Sequence, residues 1–333
     1  MKKNISIIMF VFVIIGWFLF FPYFKDVFLN KYYYMPFLGI IAATIANTTP
    51  AAAGIVYFPI LTKFSIIPLE AVKYSLMIQA FGMGIGSIRW YLLNKNLFIK
   101  NILPVTLAGG FIGCVFSIVI FPLKDPAYLK LIFNIIAFLL VQFIIISIIR
   151  KNNYFKNHVE LNRNVIITIA ICSLAGGLIS GWIGFGIDTI FYFILTIFYK
   201  VNPAIAIVTS ICIMAFISIF ASILHLIMNS SLPISLWYSA IPGVAVGGLF
   251  LATYVAVKLG TKNILILFCL LLCIDFYHCL WTQHVIPMGH ILRFIITDIL
   301  ILYVVVIHIK VFKHNYKFLP SSKFVEDTGS NLE

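Results

Sequence analysis

The stretch Ala43-Thr44-Ile45-Ala46-Asn47-Thr48-Thr49-Pro50-Ala51-Ala52-Ala53-Gly54 interrupts an apolar run that extends from residue 35 to residue 61. A second run, 165–199, is interrupted by Gly181-Trp182-Ile183-Gly184-Phe185-Gly186. One crossing of ~30 Å of hydrocarbon takes about 20 helical residues, so both runs are too long for a simple span and both are broken inside. Irregular backbone survives at membrane depth only where protein or a water-filled cavity surrounds it. The two breaks therefore decide the fold, which is expected to be an α-helical membrane protein with broken helices.

The rest of the chain fits lipid as its solvent. Of 333 residues, 62% are hydrophobic and 10% charged, against about 25% charged in a soluble domain. Further apolar runs occupy 5–24, 68–92, 102–121, 127–149, 203–228, 234–257, 263–281 and 291–309. The first follows Met1-Lys2-Lys3. It is longer than a secretory h-region and lacks a small-x-small cleavage site, so it reads as an uncleaved span. The net charge of +13 sits in short loops, as membrane proteins place it. No basic surface interleaved with aromatics is present, so nucleic-acid binding is not expected. The six cysteines, 114, 172, 212, 269, 273 and 279, all lie in apolar runs. They read as small buried hydrophobes rather than a disulfide framework.

The chain repeats itself. A shift of 135 places Pro68 on Pro203, Ser75 on Ser210, Phe81 on Phe216 and Ser87 on Ser222. A shift of 138 places Leu103-Pro104 on Ile241-Pro242 and Gly109-Gly110 on Gly247-Gly248. With every run crossing once, Lys and Arg divide 13 inside to 10 outside; with both interrupted runs as hairpins, the division is 16 to 7. The second arrangement follows the positive-inside bias. The expected layout is an extra span at 1–34, a first repeat at 35–149, a basic linker at 150–164, a second repeat at 165–281, a last span at 282–309 and a polar tail at 310–333. Each repeat is a re-entrant hairpin plus three spans, so the second is inverted relative to the first, a recurring transporter plan.

The breaks also carry the expected chemistry. Thr49 is placed to cap a helix and Pro50 to start it. A helix N-terminus offers unpaired N–H groups and partial positive charge, so it can hold an anion without Lys or Arg. Asn47, Thr48 and Thr49 in the first break, and Trp182, Gly184 and Gly186 in the second, are the candidate anion ligands. Ser75 and Gln79, with Thr209 and Ser210, follow each break and could face the same cavity. The plainer reading makes the breaks packing kinks and the hydroxyls interhelical hydrogen bonds. Asp188, Asp275 and Asp298 lie in apolar runs, where an acid is a functional hypothesis by default. Asp188, just past the second break, could carry a coupling proton or simply cap the half-helix. Cys269, Cys273, Asp275, His278, Cys279 and His284 raise a metal or haem reading, but CxxC and HExxH are absent, so no cofactor is expected. With no hydrolase elbow, P-loop or zincin motif, neither is an enzyme.

At residues 43–54 followed by Phe58-Pro59, at Gly177 through Asp188, at Asn202-Pro203-Ala204-Ile205-Ala206-Ile207-Val208-Thr209-Ser210, and at Pro242 with Gly247-Gly248, the chain resembles the sulfite exporter TauE/SafE (anion permease) family. The resemblance covers about residues 37–281. The family usually shows a run of glycines where this chain has Pro50-Ala51-Ala52-Ala53-Gly54, and Phe185 and Ile187 interrupt the glycines of the second half. Those bulkier walls put the substrate in question more than the fold. The resemblance implies a plasma-membrane secondary transporter that exports small sulfur oxyanions such as sulfite or organosulfonates. Its expected partners are the anion, protons and the lipid bilayer. A carrier of another solute class, or a membrane-embedded enzyme or haem protein, are the alternatives.

Overall fold

The computed structural model describes residues 2–149, 156–228 and 230–258, together with Cys269, Cys273 and Phe276. Asp275, Asp298, His278, Cys279, His284, the expected span 291–309 and all of the expected span 263–281 but those three residues lie outside the described residues. The described chain is all helix: α1 (Lys2–Val27), α2 (Met35–Ala46), α3 (Ala53–Lys63), α4 (Pro68–Leu93), α5 (Leu103–Val115), α6 (Pro126–Ile149), α7 (Arg163–Ile183), α8 (Ile187–Phe193), α9 (Pro203–Ile227), α10 (Ile234–Val246) and α11 (Ala252–Lys258). Among the described residues, five stretches are long and apolar enough to cross a membrane: Ile5–Tyr32, Lys100–Ile120, Arg163–Ile183, Pro203–Ile227 and Ile234–Ala256. The chain is thus a polytopic α-helical membrane protein.

Both interrupted runs fold as two helices apiece, α2 with α3 and α7 with α8. The second interruption is shorter than the glycine pattern suggests. Helix α7 continues through Gly181 and Trp182, and only Gly184, Phe185 and Gly186 lie outside helix. Isolated glycines are tolerated within a helix when neighbours pack closely against them, and Ser117 lies directly against Gly181.

The ends of each interrupted run lie together. Tyr34, before α2, meets Phe64, after α3, with ring centroids 4.9 Å apart. Linker residue Lys156 donates its N–H to the Lys200 carbonyl at 2.7 Å, and the Asn202 N–H donates to the Lys156 carbonyl at 2.9 Å. Each run therefore turns back on itself. The loop between α4 and α5 joins the linker end, because Asn101 Nδ2 donates to the Val159 carbonyl at 2.6 Å. At the opposite end, Lys73 Nζ donates to the Ser231 carbonyl at 3.1 Å.

Helices α4 and α9 occupy the centre and pack along each other. In the span containing α9, 78% of the most apolar window is buried, against 6% for α1, so α9 is core and α1 faces lipid. Two further pairings are reciprocal: α5 packs on α7, and α10 on α2. Both rely on glycine. Gly110 and Gly177 are in backbone contact, as are Gly243 and Pro36. Without a hydrophobic drive between helices in lipid, such close approach is what association rests on.

This arrangement predicts the sidedness of the loops. In a cysteine-free background, cysteines introduced at Asn96 and Lys200 should react with an impermeant reagent from the same side of the membrane, and one at Ser231 from the other. Opposite accessibility of Asn96 and Lys200 would eliminate the turned-back arrangement.

Candidate functional site

The two breaks meet beside α4. Gln79 Nε2 donates to the Gly184 carbonyl at 2.8 Å. Thr189 Oγ1, in the first turn of α8, donates to the Pro50 carbonyl of the first break at 2.9 Å. Gly54 and Gly184 both press on Ser75, where an added Cβ at either would come within 3.2 Å of the Ser75 Cβ. Gly184 has φ +80 and Gly186 φ +138, values that only glycine adopts at little cost. The carbonyl that Gln79 engages is exposed by that left-handed turn.

The first break is held differently from the expectation. Helix α3 begins at Ala53 with Ala52 as its cap, and no side chain caps it. Thr48 Oγ1 instead donates to the Thr44 carbonyl at 2.8 Å, and Thr49 Oγ1 to the Ile45 carbonyl at 2.8 Å. Neither Thr49 as cap nor Pro50 as first helical residue is found. The Ile45 carbonyl also accepts the backbone N–H groups of Thr48 at 3.1 Å and Thr49 at 3.0 Å, so both hydroxyls reinforce the end of α2. Thr49 Oγ1 also accepts the Ala51 N–H at 3.3 Å. No side chain therefore covers the first N–H groups of α3.

Asn47 is a clamp. Its Nδ2 donates to the carbonyls of Ala43 at 2.8 Å and Gly82 at 3.3 Å. Its own carbonyl accepts the Trp90 indole N–H at 3.1 Å. Its Oδ1 lies directly against Gly86, closer than any Cβ there would allow. Ser75 Oγ donates to the Ala71 carbonyl at 2.7 Å, along its own helix.

Asp188 is 1% exposed. Its Oδ1 accepts the Gly186 N–H at 3.2 Å, the Ala52 N–H of the first break also reaches the carboxyl group, and Oδ2 is buried with no partner. The Ile187 N–H is taken by Ser180 Oγ at 3.0 Å. Phe185, which the glycine pattern suggested as a wall of the site, packs edge-on against an aromatic of α6. Its ring lies 5.1 Å from Phe133, which stacks 4.0 Å from Phe58 of α3. Helix α6 thus ties the two hairpins together.

Of the sequence candidates, Asn47, Thr48, Thr49, Ser75, Gln79, Gly184, Gly186 and Asp188 are brought together. Trp182 is not, since its indole N–H anchors the Phe121 carbonyl at 2.8 Å. Thr209 holds the α4–α5 loop, accepting the Ile99 N–H at 3.1 Å, and Ser210 bonds Ile207 of its own helix at 2.8 Å. The crevice beside the first break is lined by Asn47, Ala53, Tyr57, Gln79, Gly82 and Val244, among others, and has no room for a water molecule. Sequence reading passed over Thr189, Tyr57 and Trp90. It also passed over Lys73, Arg89 and His225, which are buried in α4 and α9. The usable signal was a base inside an apolar run, which counts as much as an acid does. Among the described residues no group of His, Cys, Asp and Glu could hold a metal ion.

A family model for the sulfite exporter TauE/SafE matches residues 35–275. Comparison with curated proteins, and with solved structures, finds no match.

The clamp can be tested on α4 itself. Gly86→Ala places a methyl group against Asn47 Oδ1, while Gly84→Ala meets nothing within 4 Å. Overpacking costs ~1–3 kcal/mol, and glycine within a helix ~0.5–1 kcal/mol relative to alanine. Gly86→Ala should lower the melting temperature of the purified protein, and Gly84→Ala should leave or raise it. Equal behaviour would deny Asn47 its clamping role.

Proposed function

Since the chain belongs to the sulfite exporter TauE/SafE family, we propose that it is a secondary transporter which exports sulfite or organosulfonate-type oxyanions across the plasma membrane. Transport, rather than catalysis, is what the family does. The observation that carries the reading is the meeting of the two breaks across Gln79 and Ser75, with Thr189 joined to Pro50. The equivalent order of elements after each break, and the reciprocal packing of α5 on α7 and α10 on α2, support a duplicated and inverted plan.

The anion binds between the breaks, at the start of α3. Backbone N–H groups of Ala53 and Gly54 supply the donors there, and the partial positive charge of the helix start supplies the field. Gln79 sets the width of the site through Gly184. Thr48 and Thr49 act by shaping the break, because their hydroxyl protons are already used on α2. No permanent positive charge sits in either break, so the empty carrier can reorient without dragging one through the membrane.

Asp188 couples this site to protons. Its carboxylate and the anion compete for the N–H groups of the first break, and two negative charges in one dry site repel each other strongly. A proton on Asp188 removes the competition, so anion and proton move together. The sign follows: transport is fastest where Asp188 is protonated and falls as pH rises.

In proteoliposomes, efflux of labelled sulfite should saturate, be inhibited by a sulfonate, and ignore an organic cation. No sulfite flux above that of empty liposomes would reject the assigned substrate. Asp188→Asn should make the rate independent of pH while substrate binding stays measurable, and an unchanged profile would remove Asp188 from coupling. Gly184→Val should abolish flux. Its side chain would enter a left-handed turn 3.2 Å from Ser75, at a strain of ~1–3 kcal/mol.

A further inference from the structure

The two ends of the central helix pair are built from equivalent positions with opposite chemistry. The shift of 135 that maps Pro68 onto Pro203 also maps Lys73 onto Val208 and Trp90 onto His225. At the linker end, Trp90 and Val208 pack in one small apolar cluster with Leu93 and Ala256. At the other end, the corresponding pair is Lys73 on α4 and His225 on α9, which interact electrostatically. The linker end thus carries an apolar cluster with the buried Arg89 beside Trp90, and the other end carries two nitrogen bases.

Both bases are more than nine-tenths buried, at 7% exposure for Lys73 and 8% for His225. Lys73 Nζ gives one hydrogen bond to the Ser231 carbonyl at 3.1 Å, leaving two of its three N–H donors. His225 Nδ1 lies 3.5 Å from Ser230 Oγ. When Nδ1 accepts from that hydroxyl, the ring proton sits on Nε2, and Nε2 is buried with no partner. The acidic group whose field reaches Lys73 is Glu70, three residues earlier on α4. Beyond the Ser231 carbonyl, the corner therefore holds two Lys73 donors and the His225 Nε2 donor with no hydrogen-bond acceptor among the described residues. Buried donors without acceptors are costly, and an oxyanion supplies what is missing.

We propose that Lys73 and His225 form a second binding site for a small oxyanion, separate from the helix breaks, at the end of the bundle away from the linker. The charge bias of the loops makes that end extracytoplasmic. This rests on the reading of the chain as an anion transporter. The pair is the last holding point for an anion leaving the breaks, and the loop carrying Ser230 and Ser231 is its cover.

The test titrates the purified full chain with sodium sulfite, sodium sulfate and sodium phosphate, by calorimetry for stoichiometry and by melting temperature for stabilisation. Wild type should bind two equivalents of sulfite. Lys73→Gln and His225→Gln should bind one, with the remaining site at least tenfold weaker or absent in Gly184→Val, and Lys73→Arg should restore two. Melting temperatures without anion show that each variant folds. Sulfite binding identical in wild type, Lys73→Gln and His225→Gln would overturn the second site and leave the transport reading standing. A response to sulfate or phosphate alone, lost in Lys73→Gln, would do the reverse. No response to any of the three overturns both. Stabilisation by added phosphatidylglycerol alone, also lost in Lys73→Gln, would make the pair a lipid headgroup contact and overturn the proposal.

Discussion

A backbone N–H or carbonyl in hydrocarbon has no water to turn to, and an unpaired one costs several kcal/mol. Both helix breaks violate regular pairing at membrane depth, so each freed group has to be met from somewhere else in the chain. Thr48 and Thr49 meet the carbonyls at the end of α2, Trp90 meets Asn47, Gln79 meets Gly184, Thr189 meets Pro50, and Ser180 meets the Ile187 N–H. Four of these side chains, the donors Trp90, Gln79 and Thr189 and the acceptor Ser180, belong to a different element from the group they satisfy. The small residues of α4 follow from the same demand, since Gly82 and Gly86 let the first break come close enough to be pinned.

The breaks were readable because they combine helix-stopping residues with runs too long for one span. The proposed duplication rests on Pro and Gly-Gly spacing. The direction of the Thr48 and Thr49 hydroxyls was not. A threonine beside a helix end can cap the next helix or bond back to the previous one, and the choice is set by the local backbone turn rather than by residue type. Trp182 and Thr209 misled for a similar reason. Sequence places both beside a break or after one, whereas their partners, Phe121 and Ile99, are set by how α5 and its loop pack. The buried bases were legible in principle, but counting Lys and Arg only as loop markers hid them.

The halves have diverged in what they offer the site. Under the shift of 135, Gln79 falls on Met214 and Asp188 on Ala53. The amide that reaches across to the opposite break thus has a thioether as its counterpart, and Met214 merely contacts Ser180 Oγ at 3.9 Å. The carboxyl group has a methyl as its counterpart. On the proposed duplicated plan, the scaffold supplies the geometry twice and the chemistry once.

The crevice beside the first break is dry as it stands. An ion passing between the hairpins must therefore shed its hydration shell before it is held. The energy of removing an ion from water grows with the square of its charge, whereas its attraction to fixed dipoles grows only in proportion to it. A closed, dipole-lined passage of this kind sorts solutes by valence before it sorts them by shape. On the proposed reading, monovalent species would be admitted in preference to divalent ones of the same size, and the acidity of the surrounding medium would help decide which solute is carried.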